Sequence, residues 1–135
     1  MWKSVAVILI AISFAVSGCD NSTYQHLTPQ QVRNKADKMG LEDAYNFYIA
    51  SYNATAPHMR AAAGTFARFG PKGESYLLGK ALSSEDKNEF EAILIAIGFS
   101  DFRCSAQTFE KIEEKGTALG VDRIYLTNGC SSASM

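Results

Sequence analysis

Histidine is the usual general base beside a catalytic serine or cysteine, and this chain has only two, His26 and His58. The glycine-containing stretches 69–73 and 116–120 lack the spacing of a phosphate-binding loop. The carboxylates of Glu110, Glu113 and Glu114 are interspersed with Lys111 and Lys115, so a charged helix face explains them. We therefore predict no catalytic residue, no metal site and no cofactor, and we interpret the chain as a non-enzymatic protein.

The amino terminus has the layout of a secretory signal peptide. Lys3 supplies one positive charge, residues 5–16 are almost all apolar, and the small residues Ser17 and Gly18 follow. The apolar run is twelve residues long, whereas a helix needs about 20 residues to cross the ~30 Å hydrocarbon core of a membrane. We expect a cleaved signal here and not a membrane-spanning helix.

The end of this run carries a more specific pattern. Residues 16–19, Val-Ser-Gly-Cys, resemble the lipobox of bacterial lipoproteins, in which the signal is cut just before the cysteine and the cysteine is lipidated. The resemblance implies that 1–18 are removed and that Cys19 anchors the protein in a membrane, with 19–27 as a polar tether. Asp20 directly after the cysteine implies the periplasmic face of the inner membrane in preference to the outer membrane. An ordinary signal peptide with an incidental cysteine is the alternative.

Two cysteines remain once Cys19 is assigned to the lipid. Cys104 and Cys130 lie 26 positions apart, and an even number of cysteines in an oxidising compartment favours a disulfide. Closing such a loop stabilises a fold by roughly 3 kcal/mol in the chain-entropy model. Two free buried thiols are the alternative, and a metal site is less favoured because neither cysteine has a His or Cys at ligand spacing.

The charge distribution argues against one class of partner. The full chain carries 13 basic and 14 acidic side chains, interspersed with no block of one sign. Nucleic-acid binding usually needs a clustered basic face, so we predict no nucleic-acid partner. Residues 28–135 are numerous enough for a single domain with its own hydrophobic core.

A strong helix start opens this domain. Thr28 is placed to cap a helix, Pro29 suits the first helical position, and Gln31 completes a capping box. The pattern predicts a first helix over 29–39, which Gly40 ends.

The second predicted helix, 41–52, carries a stripe of tyrosines. Tyr45, Tyr48 and Tyr52 recur at helical spacing on one face. They form either a ligand-binding stripe or, as we favour, a half-buried packing face whose hydroxyl groups remain solvated. Phe47 points away from that face, so it is a candidate contact residue if it is exposed.

Three helix ends repeat one pattern. A large apolar residue and a glycine stand at 39–40, 69–70 and 97–98, a period of 28 to 30 residues that is typical of stacked helical hairpins. Residues 58–86 resemble a HEAT-type repeat, with an Ala-rich first helix, a terminal Phe-Gly, a proline at the next helix start and a Leu-rich second helix.

The domain is therefore predicted to be all-α, a compact bundle of about three stacked, HEAT-like helical hairpins. The central element of the core is predicted at 85–97, where the sequence becomes apolar on every side of a helix. The last helix is expected at 106–119, and 123–127 is expected to be extended within a short irregular tail. A plain irregular helical bundle is the alternative architecture.

A tethered helical module without catalytic residues is most simply interpreted as a protein-binding module. The candidate surface is the row Phe47, His58, Arg60 and Arg68 with the loop 53–56, because helical hairpins recognise partners along one exposed face. We expect a lipid-anchored periplasmic adaptor or inhibitor, such as an immunity or entry-exclusion lipoprotein. A ligand-binding envelope sensor that uses the tyrosine stripe, and a structural subunit of an envelope complex, are the alternatives.

Overall fold

The computed structural model describes residues 27–53 and 57–130. Its elements are α1 Pro29–Ala36, α2 Leu41–Asn53, a 3₁₀ helix Pro57–Phe69, α3 Pro71–Ser83, α4 Lys87–Phe99, α5 Ala106–Leu119 and α6 Arg123–Gly129. These two ranges contain no strand, so the domain is all-α as predicted, and its helices form a compact bundle. None of the helices in them has the length and apolar composition needed to cross a membrane. The predicted lipid-anchor residue Cys19 and sorting residue Asp20 lie outside the described residues.

α1 begins as its sequence predicts. Thr28 Oγ1 accepts a hydrogen bond of 3.2 Å from the backbone N–H of Gln31, and the Gln31 side chain accepts one of 2.8 Å from the N–H of Thr28. The two bonds satisfy donors that a first helical turn otherwise leaves without a partner. The α-helix ends at Ala36 and a turn leads on to Gly40, so α1 is shorter than the predicted 29–39.

Polar residues begin three later helices in a similar way. Asp86, Ser105 and Asp122 cap α4, α5 and α6, each accepting a hydrogen bond from a backbone N–H of the first turn. Two glycines lie in turns between helices: Gly70 between the 3₁₀ helix and α3, and Gly120 directly after α5. Gly70 has φ 57° and Gly120 has φ 73°, which lies in the left-handed region that residues with a side chain disfavour. Residues close to each turn therefore determine where these helices begin and where the chain changes direction.

α4 is the centre of the hydrophobic core. The 3₁₀ helix, α3 and α6 pack most extensively against it, and α2 and α5 contact it less. Because other elements surround α4, residues on most of its sides are buried. The prediction of a core element at 85–97 is confirmed, with the helix itself at Lys87–Phe99. The buried side chains of α4 are Phe90, Ala92, Ile93, Leu94, Ala96 and Ile97.

The 3₁₀ helix organises the amino-terminal half of the domain. α1 and α2 each pack mainly against it and only slightly against each other. Ala62 and Thr65 form one buried row on this helix, and Ala63 and Phe66 form a second. The spacing of three within each row matches the three residues per turn of 3₁₀ geometry. With α3, it gives residues 58–86 the two helices that the HEAT resemblance implies, although the first is 3₁₀ instead of α.

The carboxy-terminal segment differs from the sequence prediction. An extended run was expected at 123–127, and the structure has the helix α6 there instead. Asp122 begins this helix by accepting a hydrogen bond of 3.0 Å from the N–H of Ile124. Leu126 is buried in the core cluster. The β-branched and aromatic residues of this segment favour strands only weakly, and packing against α4 overrides that preference.

A disulfide joins Cys104 to Cys130, as predicted. Both cysteines are buried, and their Cα atoms are 5.3 Å apart, within the range of native disulfides. The bridge connects Cys130, the residue that follows α6, to the loop between α4 and α5. It therefore helps to hold α6 against the body of the bundle.

Candidate functional site

Two exposed apolar side chains mark the candidate site. Phe99 is 68% exposed and Ile124 is 59% exposed, and both line one cleft. A third large apolar side chain, Leu82 on α3, is 36% exposed and does not line that cleft. Scattered exposed apolar residues are ordinary, but apolar residues that gather around a concavity are typical of binding surfaces. Phe99 and Ile124 therefore mark a candidate binding surface.

The cleft lies where α4, α6 and the 3₁₀ helix meet, and its volume is about 530 Å³. We call it the α4–α6 cleft. Its position follows from the close approach of the two helices, because a Cβ atom on Gly129 would stand only 2.7 Å from Cβ of Leu94. Only glycine at that position lets α6 lie so near α4. The residues that line it include Arg60, Leu94, Phe99, Ile124, Tyr125 and Gly129.

A second, smaller cleft adjoins the first. It lies between α1 and the 3₁₀ helix and has a volume of about 320 Å³. Its lining includes Arg33 of α1 and Asp37, the residue that follows α1. We call it the α1 cleft. Arg60 and Phe99 line both clefts. The two concavities therefore form one continuous surface, with Phe99 and Arg60 between them, and we refer to this surface as the paired clefts.

Arg60 is the cation at the centre of the paired clefts. Its guanidinium lies 5.7 Å from the centroid of the Tyr52 ring, an arrangement worth roughly 0.5–1 kcal/mol at an exposed site. Burial raises the pKa of the Tyr52 hydroxyl, and the nearby Arg60 charge opposes that rise. Arg60 forms no ion pair with any carboxylate in the described ranges. Its charge is therefore open to an incoming group.

Arg33, on the α1 wall, is exposed and also forms no ion pair with a described residue. The acidic residue of the same cleft is already engaged. Asp37 Oδ1 accepts a hydrogen bond of 2.8 Å from Thr65 Oγ1 and lies 4.0 Å from Nε of Arg68. The paired clefts therefore combine an apolar wall with two guanidinium groups that form no ion pair with a described carboxylate.

The contact row predicted from the sequence does not stay together in the structure. Arg60 lies on the paired clefts, and His58 lies in the first turn of the 3₁₀ helix. Phe47 is only 6% exposed, so its assignment as an exposed contact residue is wrong. It belongs to the core cluster, and Lys35 Nζ lies 5.4 Å from its ring centroid. α2 buries more than one stripe because α1, the 3₁₀ helix and α4 all pack against it.

Arg68, the remaining member of the row, holds the fold together at the end of α1. Its guanidinium donates hydrogen bonds to the carbonyl oxygens of Ala36, at 2.8 Å, and of Met39. The last carbonyl groups of a helix have no partner within the helix. The guanidinium also stacks over the Phe69 ring, 4.1 Å from its centroid. We therefore assign Arg68 to the fold instead of to partner binding.

The tyrosine stripe faces the core. The Tyr45 hydroxyl donates to the Glu89 side chain, and the Tyr48 hydroxyl donates to the carbonyl oxygen of Ala92 at 2.7 Å. Burial is the main reason why both phenol pKa values lie above their ordinary value. Tyr52 is half-buried. These contacts agree with a packing face, with the difference that α4 takes the place of water as the hydroxyl partner.

Phe99 and Ile124 were not among the residues predicted to bind a partner. The apolar character of α4 indicated only the core, and Gly98 was predicted to end a helix that in fact continues to Phe99. The segment that contains Ile124 was predicted to be extended. One signal was present in the sequence: α4 has more apolar residues than its neighbours cover, and Phe99 is the large one that remains outside.

The chemistry of the paired clefts is that of a binding surface. Guanidinium, hydroxyl and apolar groups form it, and Asp37, its acidic residue, is held by Thr65 and Arg68. Within the residues that the structure describes, no group of three or more His, Cys, Asp or Glu side chains could hold a metal ion. The chain matches no family model, and no curated protein or solved structure matches it.

Proposed function

We propose that this protein is a lipid-anchored module at the periplasmic face of a bacterial membrane, and that it binds another protein through the paired clefts. The observation that carries the proposal is the exposure of Phe99 and Ile124, at 68% and 59%, on the walls of one cleft. Covering apolar surface is favourable by about 25 cal/mol per Å². Aromatic side chains that enter or border a cleft are frequent anchors of protein interfaces.

The membrane anchor is supported by the sequence. The Val-Ser-Gly-Cys pattern at 16–19 resembles a lipobox, and Asp20 after the cysteine favours the inner membrane. Thr28, which caps α1, follows Cys19 by nine residues. At ~3.3–3.6 Å per residue, a fully extended tether of this length spans roughly 30 Å. Such a tether keeps the helical domain close to the membrane surface, where it meets partners that cross or approach the membrane.

Within this function we favour an adaptor or inhibitor. Immunity lipoproteins, which neutralise a toxin, and entry-exclusion lipoproteins of mobile elements are examples of the class. Proteins of this kind act by binding alone. Such a protein needs a binding surface and no catalytic group. The paired clefts offer apolar and guanidinium groups, and their acidic residue Asp37 is already held by Thr65 and Arg68.

Lipidation of Cys19 is tested by metabolic labelling with radioactive palmitate. We expect label in the full-length chain and none in a Cys19→Ala variant. Ser22→Ala is the matched control, since it changes a neighbouring residue outside the lipobox and should keep the label. Equal labelling of the Cys19→Ala variant would rule out the anchor.

Partner binding is tested by photo-crosslinking in the membranes of the native host. A photoreactive phenylalanine analogue is placed at position 99 and, as a control, at position 82, because Leu82 is also exposed but lines neither of the paired clefts. We expect a discrete protein adduct from position 99 and none from position 82. The adduct should disappear when Ile124→Asp is added. Equal adducts at both positions, or none at position 99, would contradict the proposal.

A ligand-binding sensor is the second candidate, and the size of the α4–α6 cleft favours it. A volume of about 530 Å³ falls within the ~300–1,000 Å³ of small-molecule sites. The ligand would occupy this cleft and not the tyrosine stripe, whose Tyr45 and Tyr48 hydroxyl groups are bonded to α4. Native mass spectrometry of the protein from its own membranes decides the matter. A bound small molecule that Phe99→Asp abolishes, together with the absence of a protein adduct, would favour the sensor.

A further inference from the structure

We infer that the partner presents an acidic peptide segment to the paired clefts, with one large apolar side chain in the α4–α6 cleft and flanking carboxylates on Arg60 and Arg33. The inference rests on the proposed protein-binding function and specifies the chemistry of the partner. The segment passes over Phe99, which lines both clefts.

The apolar part of the inference follows from the walls of the α4–α6 cleft. Leu94 and Phe99 of α4 face Ile124 and Tyr125 of α6 across a space of about 530 Å³. This space has room for one large side chain and part of its backbone. Filling it covers Phe99 and Ile124, the two most exposed large apolar side chains of the described domain.

The acidic part follows from the arginines on the same surface. Arg60 lines both clefts and Arg33 lines the α1 cleft, and neither forms an ion pair with a described residue. A guanidinium group binds a carboxylate through two parallel hydrogen bonds when the geometry allows. A chain that follows the surface from one cleft to the other meets Arg60 first and Arg33 second.

Two carboxylates close to this surface already have partners. Asp37 is held by Thr65 and Arg68. Glu91, which lies near Tyr52, pairs with Lys87 at 3.8 Å. Arg60 and Arg33 form no ion pair with a described carboxylate, so their charges set the sign of the local field. The surface attracts an acidic segment and repels a basic one.

An anionic membrane is the other occupant that combines negative charge with apolar groups. Its shape fits this surface poorly. The exposed residues line two concavities, and Ile124 and Phe99 stand on opposing helices of one of them. A bilayer presents a broad, nearly flat face, whereas a single protruding side chain can enter a cleft. The concave form therefore favours a peptide segment.

The test uses the full-length lipidated chain in nanodiscs of zwitterionic lipid. Three synthetic peptide libraries serve as probes, and each mixes Leu, Ile and Phe at random with one polar pair: Glu and Asp, Gln and Asn, or Lys and Arg. Vesicles that contain phosphatidylglycerol form a fourth probe. We expect the acidic library to be enriched at least tenfold over the neutral one and the basic library to be excluded. Binding should weaken as salt rises, because the Debye length shortens.

Variants identify the residues responsible. Arg60→Gln and Arg33→Gln should each weaken the best acidic peptide about two- to fivefold, as expected for exposed charge pairs. Phe99→Ala should weaken the acidic peptides and their neutral analogues alike. Lys111→Gln is the matched control, because it removes the same charge from an exposed position on α5 that lines neither cleft. A thermal melt of each variant by circular dichroism verifies that it is folded.

Several results would overturn the inference. Equal enrichment of acidic and neutral libraries, no enrichment of any library, or an Arg60→Gln effect no larger than that of Lys111→Gln would each do so. Preferential binding of the anionic vesicles, dependent on Phe99, would assign the surface to the membrane instead. If the adduct at position 99 forms while the libraries show no acidic preference, the proposed function stands and only the chemistry assigned to the partner fails.

Discussion

The guanidinium of Arg68 donates a hydrogen bond of 2.8 Å to the carbonyl oxygen of Ala36, 32 positions earlier in the chain. Ala36 is the last residue of α1, and Arg68 lies near the end of the 3₁₀ helix. The bond therefore fixes the carboxyl end of α1 to the next layer of the bundle. Since α1 carries Arg33 and Asp37 follows its last residue, the same bond also positions one wall of the paired clefts.

Arg68→Ala should lower the free energy of unfolding by about 1–3 kcal/mol, because the part-buried carbonyl group of Ala36 and the exposed one of Met39 lose their donor. Arg33→Ala is the control. Arg33 is exposed and has no ion pair with a described residue, so its removal should change stability by no more than about 0.5 kcal/mol. Urea unfolding of both variants measures the difference. Equal stability of the two variants would show that Arg68 does not hold α1.

Two glycines should respond to the same substitution in opposite directions. A Cβ on Gly129 would stand 2.7 Å from Cβ and 2.9 Å from the carbonyl oxygen of Leu94, so Gly129→Ala must displace α6 at a cost of about 1–3 kcal/mol. Gly79, inside α3, has nothing within 4 Å of a Cβ, and Gly79→Ala should stabilise the protein by about 0.5–1 kcal/mol. The melting temperatures of the two variants, compared with that of the natural chain, show whether each substitution stabilises or destabilises the fold. A Gly129→Ala variant as stable as the natural chain would contradict the close approach of α6 to α4.

Loss of the disulfide should loosen α6. The double variant Cys104→Ser with Cys130→Ser is expected to be less stable by about 3 kcal/mol, since the unfolded chain regains the freedom that a closed loop removes. Denaturant unfolding with and without a reductant gives the measurement. Reductant should destabilise the natural chain towards the level of the variant and leave the variant itself unaffected. A reductant effect of the same size on both proteins would mean that the bridge is not the cause.

The buried tyrosines predict a loss of stability in alkali. Burial raises the pKa of Tyr48 in the folded protein above the value of about 10 that an unfolded chain has. For a group whose folded pKa is raised, the stabilisation is fully present below pH ~10 and is lost as the pH rises further. The natural chain should therefore lose stability above pH ~10, and Tyr48→Phe should lose less over the same interval.

Ultraviolet titration of tyrosinate gives an independent reading of the same effect. Unfolding at pH ~10 should increase the tyrosinate signal of the natural chain, because Tyr45 and Tyr48 ionise only once they are released from the core. The increase should be smaller in Tyr48→Phe. If the folded natural chain and the unfolded chain titrate alike, these hydroxyl groups are not buried.

Local sequence was enough to predict where several helices begin. Thr28 with Gln31 forms the expected capping box, and Asp86 begins α4 just after the expected start of the core helix. Capping bonds join residues within a single turn, so no knowledge of the rest of the fold is needed to see them. The pairing of Cys104 with Cys130 was predictable because only two cysteines remain after Cys19 is set aside.

Long-range packing decided the predictions that failed. Phe47 was predicted to point away from the tyrosine stripe and to be a contact residue if exposed, but α2 has neighbours on several sides and buries it. The segment that became α6 was predicted to be extended, and its contacts with α4, from which it is separated by the whole of α5, stabilise a helix instead. Both outcomes depend on contacts with residues that are distant in sequence.

The sequence alone determined the helical class of the domain, the helix that forms its core and the two cysteines that pair, because periodicity, caps and composition are properties of short stretches. Only the tertiary structure decided that Phe99 and Ile124 remain open to water and that Arg60 stands beside them. The physical reason is that burial depends on how many elements surround each face of a helix. That number is set when α4, α6 and the 3₁₀ helix come together.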